Sequence, residues 1–260
     1  MSSPSAVADE PSPGREVWAG ADVSTHVWLV YSGVTLAPFG GIYDDGLRFR
    51  AAGGYGEYSY TDKVPGADPA FSRGIQFHAQ TYYADLLIGY AKRWGDLTAK
   101  GFVGASIISH EISPLDSETI AIGDEVGVKG VIELWLNIGE RGWGSLDLAW
   151  SSAHSTRTAR ARLGYRMWPK LSVGLEAGIN VDSQGECRMS LSSASGCKTT
   201  YDETADQAEL LDYARVGAFA RYEWGRSEVS LSTGVLGDTF AGEGPVEIAP
   251  YVTVNWLTQF

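Results

Sequence analysis

The chain predicts an all-β fold: an antiparallel transmembrane β-barrel of about twelve strands, with short periplasmic turns and longer extracellular loops. Three observations lead there. Apolar and polar residues alternate with period two along most of the chain, the signature of strands with two unlike faces. The connections between these segments mostly alternate between tight turns and long polar stretches. The last segment, Pro250 to Phe260, alternates to the terminus, with Val252, Val254, Trp256 and Phe260 on one face. A barrel's last strand must close on its first and leave no edge, and a terminal aromatic suits that role.

Composition agrees. The 260 residues suffice for one barrel, and 32 Gly, 9 Trp and 13 Tyr suit sheets with aromatic girdles. No run of about 18 apolar residues occurs, so a helical membrane span is excluded, whereas alternating barrel strands never produce such a run. A net charge of -12 argues against wholesale nucleic-acid binding, because phosphate repels an acidic surface.

Met1 to Pro13 is polar and lacks the apolar core of an export signal. The expectation is a mature form with an added start, residues 1–15 forming a flexible tail and 16–260 a single barrel domain. Alternation begins at Glu16 to Val23, where Val17, Ala19, Ala21 and Val23 oppose Glu16, Trp18, Gly20 and Asp22. His26 to Ala37 follows a polar break, and Pro38 to Gly46 reads as a turn. Leu47 to Thr61 carries Arg48 and Arg50 on one face; Gly53, Gly54 and Gly56 there belong to a strand, not a phosphate loop, since no helix follows. Lys63 to Gly74 is a loop, then Gln76 to Trp94 turns tightly at Gly95-Asp96 into Leu97 to Ile112. After the Ser113 to Glu118 loop, Val126 to Ile138 sets Val126, Val128, Ile132, Leu134 and Leu136 against Lys129, Glu133 and Trp135. Tight turns at Glu140-Arg141, Pro169-Lys170 and Gly225-Arg226 join Trp143 to Ala153, Arg157 to Trp168, Leu171 to Val181, Asp212 to Trp224 and Glu228 to Phe240. The connections at Asp182 and Ala241 are long; the one near His154 is short.

Several stretches resemble the family of cellulose biosynthesis protein BcsS. They are Tyr31 to Gly40 (YSGVTLAPFG), Asp45 to Gly56 (DGLRFRAAGGYG), Ala84 to Tyr90 (ADLLIGY), Leu97 to Gly104 (LTAKGFVG) and the loop Ser113 to Asp116 (SPLD). The resemblance covers most of the chain after Glu16 and consists of glycine and aromatic strand patterns without a catalytic signature. It implies an exported, barrel-like, outer-membrane protein linked to cellulose or exopolysaccharide production, as a scaffold or narrow conduit. The implied partners are outer-membrane lipid, the barrel-assembly machinery and cellulose or cellulose-secretion components. No cofactor is implied and no catalytic residue is carried over.

The candidate site is a lumen charge network. Arg48, Arg50, Lys129, Arg160, Arg162, Arg166, Arg215 and Arg221 share the polar face with Asp85, Glu133, Asp147, Glu176 and Glu223. Such charges either pair and fill the interior or line a polar path for a sugar chain or solute. The set is more basic than acidic, so unpaired Arg must reach water at the rims; a largely plugged interior is expected. Asp202, Glu203, Asp206 and Glu209, with Asp116 and Glu118, place the acidic excess in loops and read as solvated surface, not a calcium site. No metal-ligand spacing is present. Cys187 and Cys197 lie in one loop, and an even count in an exported chain favours a disulfide over two free thiols. An outer-membrane lipid or glycan hydrolase using His154 with Ser151, Ser152 and Ser155, or a general solute porin, are the alternative functions.

Overall fold

A computed structural model describes residues 12–64, 73–114, 123–182, 213–238 and 248–260. Its strands are β1 (Arg15–Ser24), β2 (Val27–Leu36), β3 (Gly46–Val64), β4 (Arg73–Trp94), β5 (Leu97–Ser113) and β6 (Gly123–Ile138). They continue as β7 (Gly142–Ser151), β8 (Thr156–Trp168), β9 (Leu171–Asp182), β10 (Tyr213–Trp224), β11 (Ser227–Asp238) and β12 (Ile248–Gln259). Each pairs antiparallel with its sequence neighbour, and β1 pairs with β12, so all twelve form one closed barrel. Closure supplies every strand with two partners, the condition for a sheet to cross lipid without an open edge.

The seam shows how the chain end is used. Glu16 lies opposite Gln259 and Ser24 opposite Tyr251. Beyond the ladder, the Phe260 N–H donates to the Arg15 carbonyl at 2.9 Å, and the Arg15 guanidinium lies 5.2 Å from the Phe260 ring centre. Val252, Val254, Trp256 and Phe260 all face outward and are exposed. Pro250 falls inside β12 without breaking the sheet, because β1 ends opposite Tyr251 and Pro250 pairs on the β11 side alone.

The strand parity read from the sequence separates two surfaces. Outward positions are apolar, among them Leu86, Val126, Leu163, Leu175 and Val216. Trp28, Tyr55, Tyr82 and Trp150 flank this band toward one end, and Tyr90, Trp94, Tyr165, Trp168, Tyr222 and Trp224 toward the other. An encircling apolar wall far exceeds the exposed patches of water-soluble monomers, and paired aromatic girdles place it in a bilayer.

Four expectations need correction. Residues 12–15 are not a loose tail: the Pro13 and Gly14 carbonyls accept from the Ile42 and Ala37 N–H groups, and Arg15 belongs to β1. The β2–β3 connection, at the same end as the tight turns, is not minimal. It runs through residues 37–45, folds inward with Ala37 and Ile42 buried, and is held by Arg48. β3, β4 and β6 extend past the expected ends, because each finds ladder partners beyond its obvious alternation. β7 stops at Ser151 and a 3-10 turn, Ala153–Ser155, follows.

Candidate functional site

Inward-facing side chains project into the lumen from strands all round the barrel. Nearest the turn end, Arg48 is 1 % exposed and bonds only to backbone: its guanidinium donates to the carbonyls of Leu47 (2.8 Å), Gly41 (3.0 Å), Ile42 (3.2 Å) and Asp44. The two terminal nitrogens of this planar fork, held by four carbonyls, pin the 37–45 loop across this mouth, while its buried Nε has no partner among the described residues. Tyr43 from that loop donates to Gln259, whose amide donates to Glu16 at 3.0 Å. Outside the wall, Asp45 accepts from the Lys92 ammonium and, at 2.8 Å, from the Arg93 N–H, which together hold its carboxyl below the usual range.

Farther in, contacts reach between strands that are not neighbours. Arg50 on β3 forms a two-pronged pair with Glu133 on β6, at 2.5 and 3.1 Å, and donates to Thr35 on β2 at 3.1 Å. Its guanidinium lies 3.9 Å from the Phe102 ring centre, and Lys100 supports Glu133 at 3.7 Å. Arg160 on β8 pairs with Glu176 on β9 at 2.5 Å. Glu176 also accepts from Tyr251 on β12 (2.8 Å) and Ser232 on β11 (3.1 Å). Arg162 donates to Ser145 at 3.3 Å and faces Asp147 at 3.9 Å. Arg215 on β10 meets Asp22 on β1 at 3.5 Å, and Thr253 donates to the same carboxylate. Tyr31 on β2 donates to Asn255 on β12 at 2.6 Å.

Aromatic rings add further contacts across the lumen. Trp143, 1 % exposed, stacks on Trp135 with centres 4.4 Å apart and tilts against Phe219 on β10 at 5.4 Å. Arg221 on β10 extends over Trp135 on β6 at 5.0 Å and Trp143 on β7 at 5.4 Å, with its charge on Glu228 and on Glu223 at 3.0 Å. Gly164 makes room for this cluster: a Cβ there would stand 2.3 Å from the Trp143 ring.

Every residue of the expected charge network faces inward. Asp85 accepts from Lys129 and Ser106, both at 2.6 Å. Arg166 lies at the rim beside the Pro169-Lys170 turn and makes no ion pair among the described residues. The expected basic surplus is largely removed. Asp22 and Glu228 supply carboxylates to Arg215 and Arg221, Glu16 adds another, and Lys100 adds a base. Parity could have found them all, since Asp22 shares a face with Trp18 and Lys100 with Phe102. What it could not supply was the partnering between distant strands.

At the loop end, the turn after β7 folds onto the inner wall of β6. A Cβ on Gly127 would lie 2.4 Å from the Ala153 nitrogen. The Ser151 hydroxyl accepts from the Ala153 N–H at 3.2 Å, and Ser152 from the Val128 N–H at 2.9 Å. His154 and Ser155 both hold a left-handed φ of 48°. Glu125 accepts the His154 N–H at 2.9 Å and lies 3.3 Å from its Nδ1. The His154 ring meets His110 edge-on, centres 4.8 Å apart, and Tyr58 lies 3.3 Å from His110 Nδ1. The Ser151 hydroxyl thus caps a turn N–H and the Ser152 hydroxyl a β6 N–H, and neither bonds His154 among the described residues. No cluster of metal-ligating groups occurs among the described residues. Cys187, Cys197, Asp116, Glu118, Asp202, Glu203, Asp206 and Glu209 lie outside the described residues.

A closed antiparallel ladder, an apolar outer wall and a polar interior define a transmembrane β-barrel of the bacterial outer-membrane type. The chain belongs to the family of cellulose biosynthesis protein BcsS, whose model matches residues 17–190. No curated protein matches it. Among solved structures it is similar to LpxR from Salmonella typhimurium, at 12 % identity over 94 % of this chain and 100 % of that one, TM-score 0.48. An outer membrane channel from Pseudomonas putida F1 aligns at 12 % identity over 100 % of both chains, TM-score 0.46. The translocator domain of the autotransporter NalP from Neisseria meningitidis aligns at 14 % identity over 97 % of this chain and 90 % of that one, TM-score 0.47.

Proposed function

We propose that the protein is a non-catalytic outer-membrane component of bacterial cellulose production, acting as a plugged scaffold and not as a conduit. The observation that carries this is the bridging of the lumen. Arg221 reaches from β10 to rings on β6 and β7, Tyr251 from β12 to Glu176 on β9, and Arg50 from β3 to Glu133 on β6. A polymer passing through would have to break these contacts together, stranding buried charges at a cost of several kcal/mol each. Family membership supports the link to cellulose. Its partners in this reading are outer-membrane lipid, the barrel-assembly machinery that inserts it, and components of the secretion apparatus at its two ends.

Planar-bilayer recording of the purified protein, paired with cellulose output from a deletion strain, tests this. The expected result is no large steady conductance together with reduced cellulose on deletion. Steady openings in the unmodified protein would reject the plugged scaffold and favour the conduit. A hydrolase is disfavoured because Ser151 and Ser152 accept from backbone N–H groups of the turn and of β6, and neither bonds His154. His154→Ala is therefore expected to leave cellulose output unchanged.

A further inference from the structure

The outer wall carries a feature that the lumen network does not explain. An apolar depression of about 670 Å³ spans β3 to β7. Gly101 and Gly130 form its floor, and Tyr90, Ile132, Leu148 and Trp150 are among its walls. A Cβ added at either glycine would meet nothing within 4 Å. These glycines therefore do not relieve crowding; they leave an open notch where a lipid-facing strand ordinarily presents a branched side chain.

The notch follows one cross-strand row. Ile88 faces Val103, Val103 faces Gly130, Gly130 faces Trp150, and Trp150 faces Arg157. Four strand spacings make this row about 19 Å long. Strands tilted by about 40° incline the row, so that it climbs roughly 12 Å across the wall. That rise is close to one leaflet's share, about 15 Å, of the hydrocarbon core. The upper end is Arg157, one residue inside the loop end of β8 and exposed on the outer face. Arg157 makes no ion pair or hydrogen bond among the described side chains, unlike most Arg of the lumen. A guanidinium unpaired among the described side chains at head-group level, beside a Trp and above an apolar trough one acyl chain long, matches one kind of molecule: an anionic amphiphile.

We propose that this depression binds a lipid with an anionic phosphate head group, the phosphate on Arg157 and one acyl chain lying along the row over Gly130 and beside Gly101. The barrel would then hold specific lipid on the wall formed by β4 to β8. This does not depend on whether the lumen is plugged.

Native mass spectrometry of the detergent-purified protein tests it, with three added lipids of matched acyl length. These are phosphatidylglycerol, a phosphate-bearing diglucosamine glycolipid, and phosphatidylcholine, whose phosphate is balanced by choline. The expected result is retention of at least one anionic lipid about fivefold above phosphatidylcholine, the preference one interfacial arginine supplies. Which anionic lipid prevails identifies the source. Arg157→Gln should abolish the preference, and Gly130→Val should lower retention of all three lipids. Gly130→Val suits a strand and clashes with nothing; should it fail to fold, Gly101→Val fills the same trough. Equal retention of all three lipids by the unmodified protein would overturn the proposal, as would unchanged retention in both Arg157→Gln and the folded glycine variant.

Discussion

Glu176 offers the sharpest test of a dry, bridged interior. The residue is 2 % exposed and ties four strands: Arg160 on β8, its own strand β9, Ser232 on β11 and Tyr251 on β12. Glu176→Ala leaves a buried guanidinium without its carboxylate and two hydroxyls without a charged acceptor. Breaking a buried pair from one side costs about 3–5 kcal/mol, and each lost bond to a charged group about 1.5–3, which are not additive. The expected loss is therefore about 4 kcal/mol. Glu176→Gln keeps the volume and one acceptor, so about 2 kcal/mol is expected. Guanidinium titration of protein refolded into lipid vesicles, followed by tryptophan fluorescence and by the heat-dependent gel shift of folded barrels, measures both. An Arg160→Gln variant and the double variant complete a cycle whose coupling should exceed about 1 kcal/mol. A Glu176→Ala loss below about 1 kcal/mol would mean that water already screens the pair, and the plugged interior would have to be abandoned.

Other outcomes follow from particular contacts and, for the thiols, from the even cysteine count of the sequence. Gly164→Val drives a branched side chain into the Trp143 ring and should cost about 1–3 kcal/mol in the same titration, whereas Gly130→Val should be near neutral. Arg221→Ala removes the side chain spanning from β10 to the rings of Trp135 and Trp143, so brief, small conductance steps should appear in bilayers where the unmodified protein is silent. Thiol labelling of Cys187 and Cys197 without reductant should find no reactive thiol; two labels would exclude a disulfide. Arg48→Ala frees the carbonyls of Gly41 and Ile42, and protease cleavage within residues 37–45 should rise several-fold.

The degree to which the sequence was legible differs between wall and lumen. A strand's side chains alternate by geometry alone, so the parity of Val126 against Lys129, or of Leu163 against Arg162, placed both faces before any contact was known. The closing role of Val252 to Phe260 was visible for the same reason. The long inward β2–β3 connection was not, because Pro38 to Gly46 carries the same turn residues whether it lies flat or folds in; the decision belongs to Arg48. The loop-end turn likewise reads as strand through Ala153 in the sequence, since Gly127 on β6 admits its backbone only in three dimensions.

From the sequence alone came the class, the approximate strand number, the membrane-facing surface and the family, because each rests on local period or short pattern. Only the tertiary structure decided which charge meets which. Arg50 lies 83 residues from Glu133, and Tyr251 lies 75 from Glu176. Barrel closure and the inward reach of long side chains set those meetings, and no period along the chain encodes them. The bridging of the lumen walls and the inclined trough below Arg157 follow from that curvature.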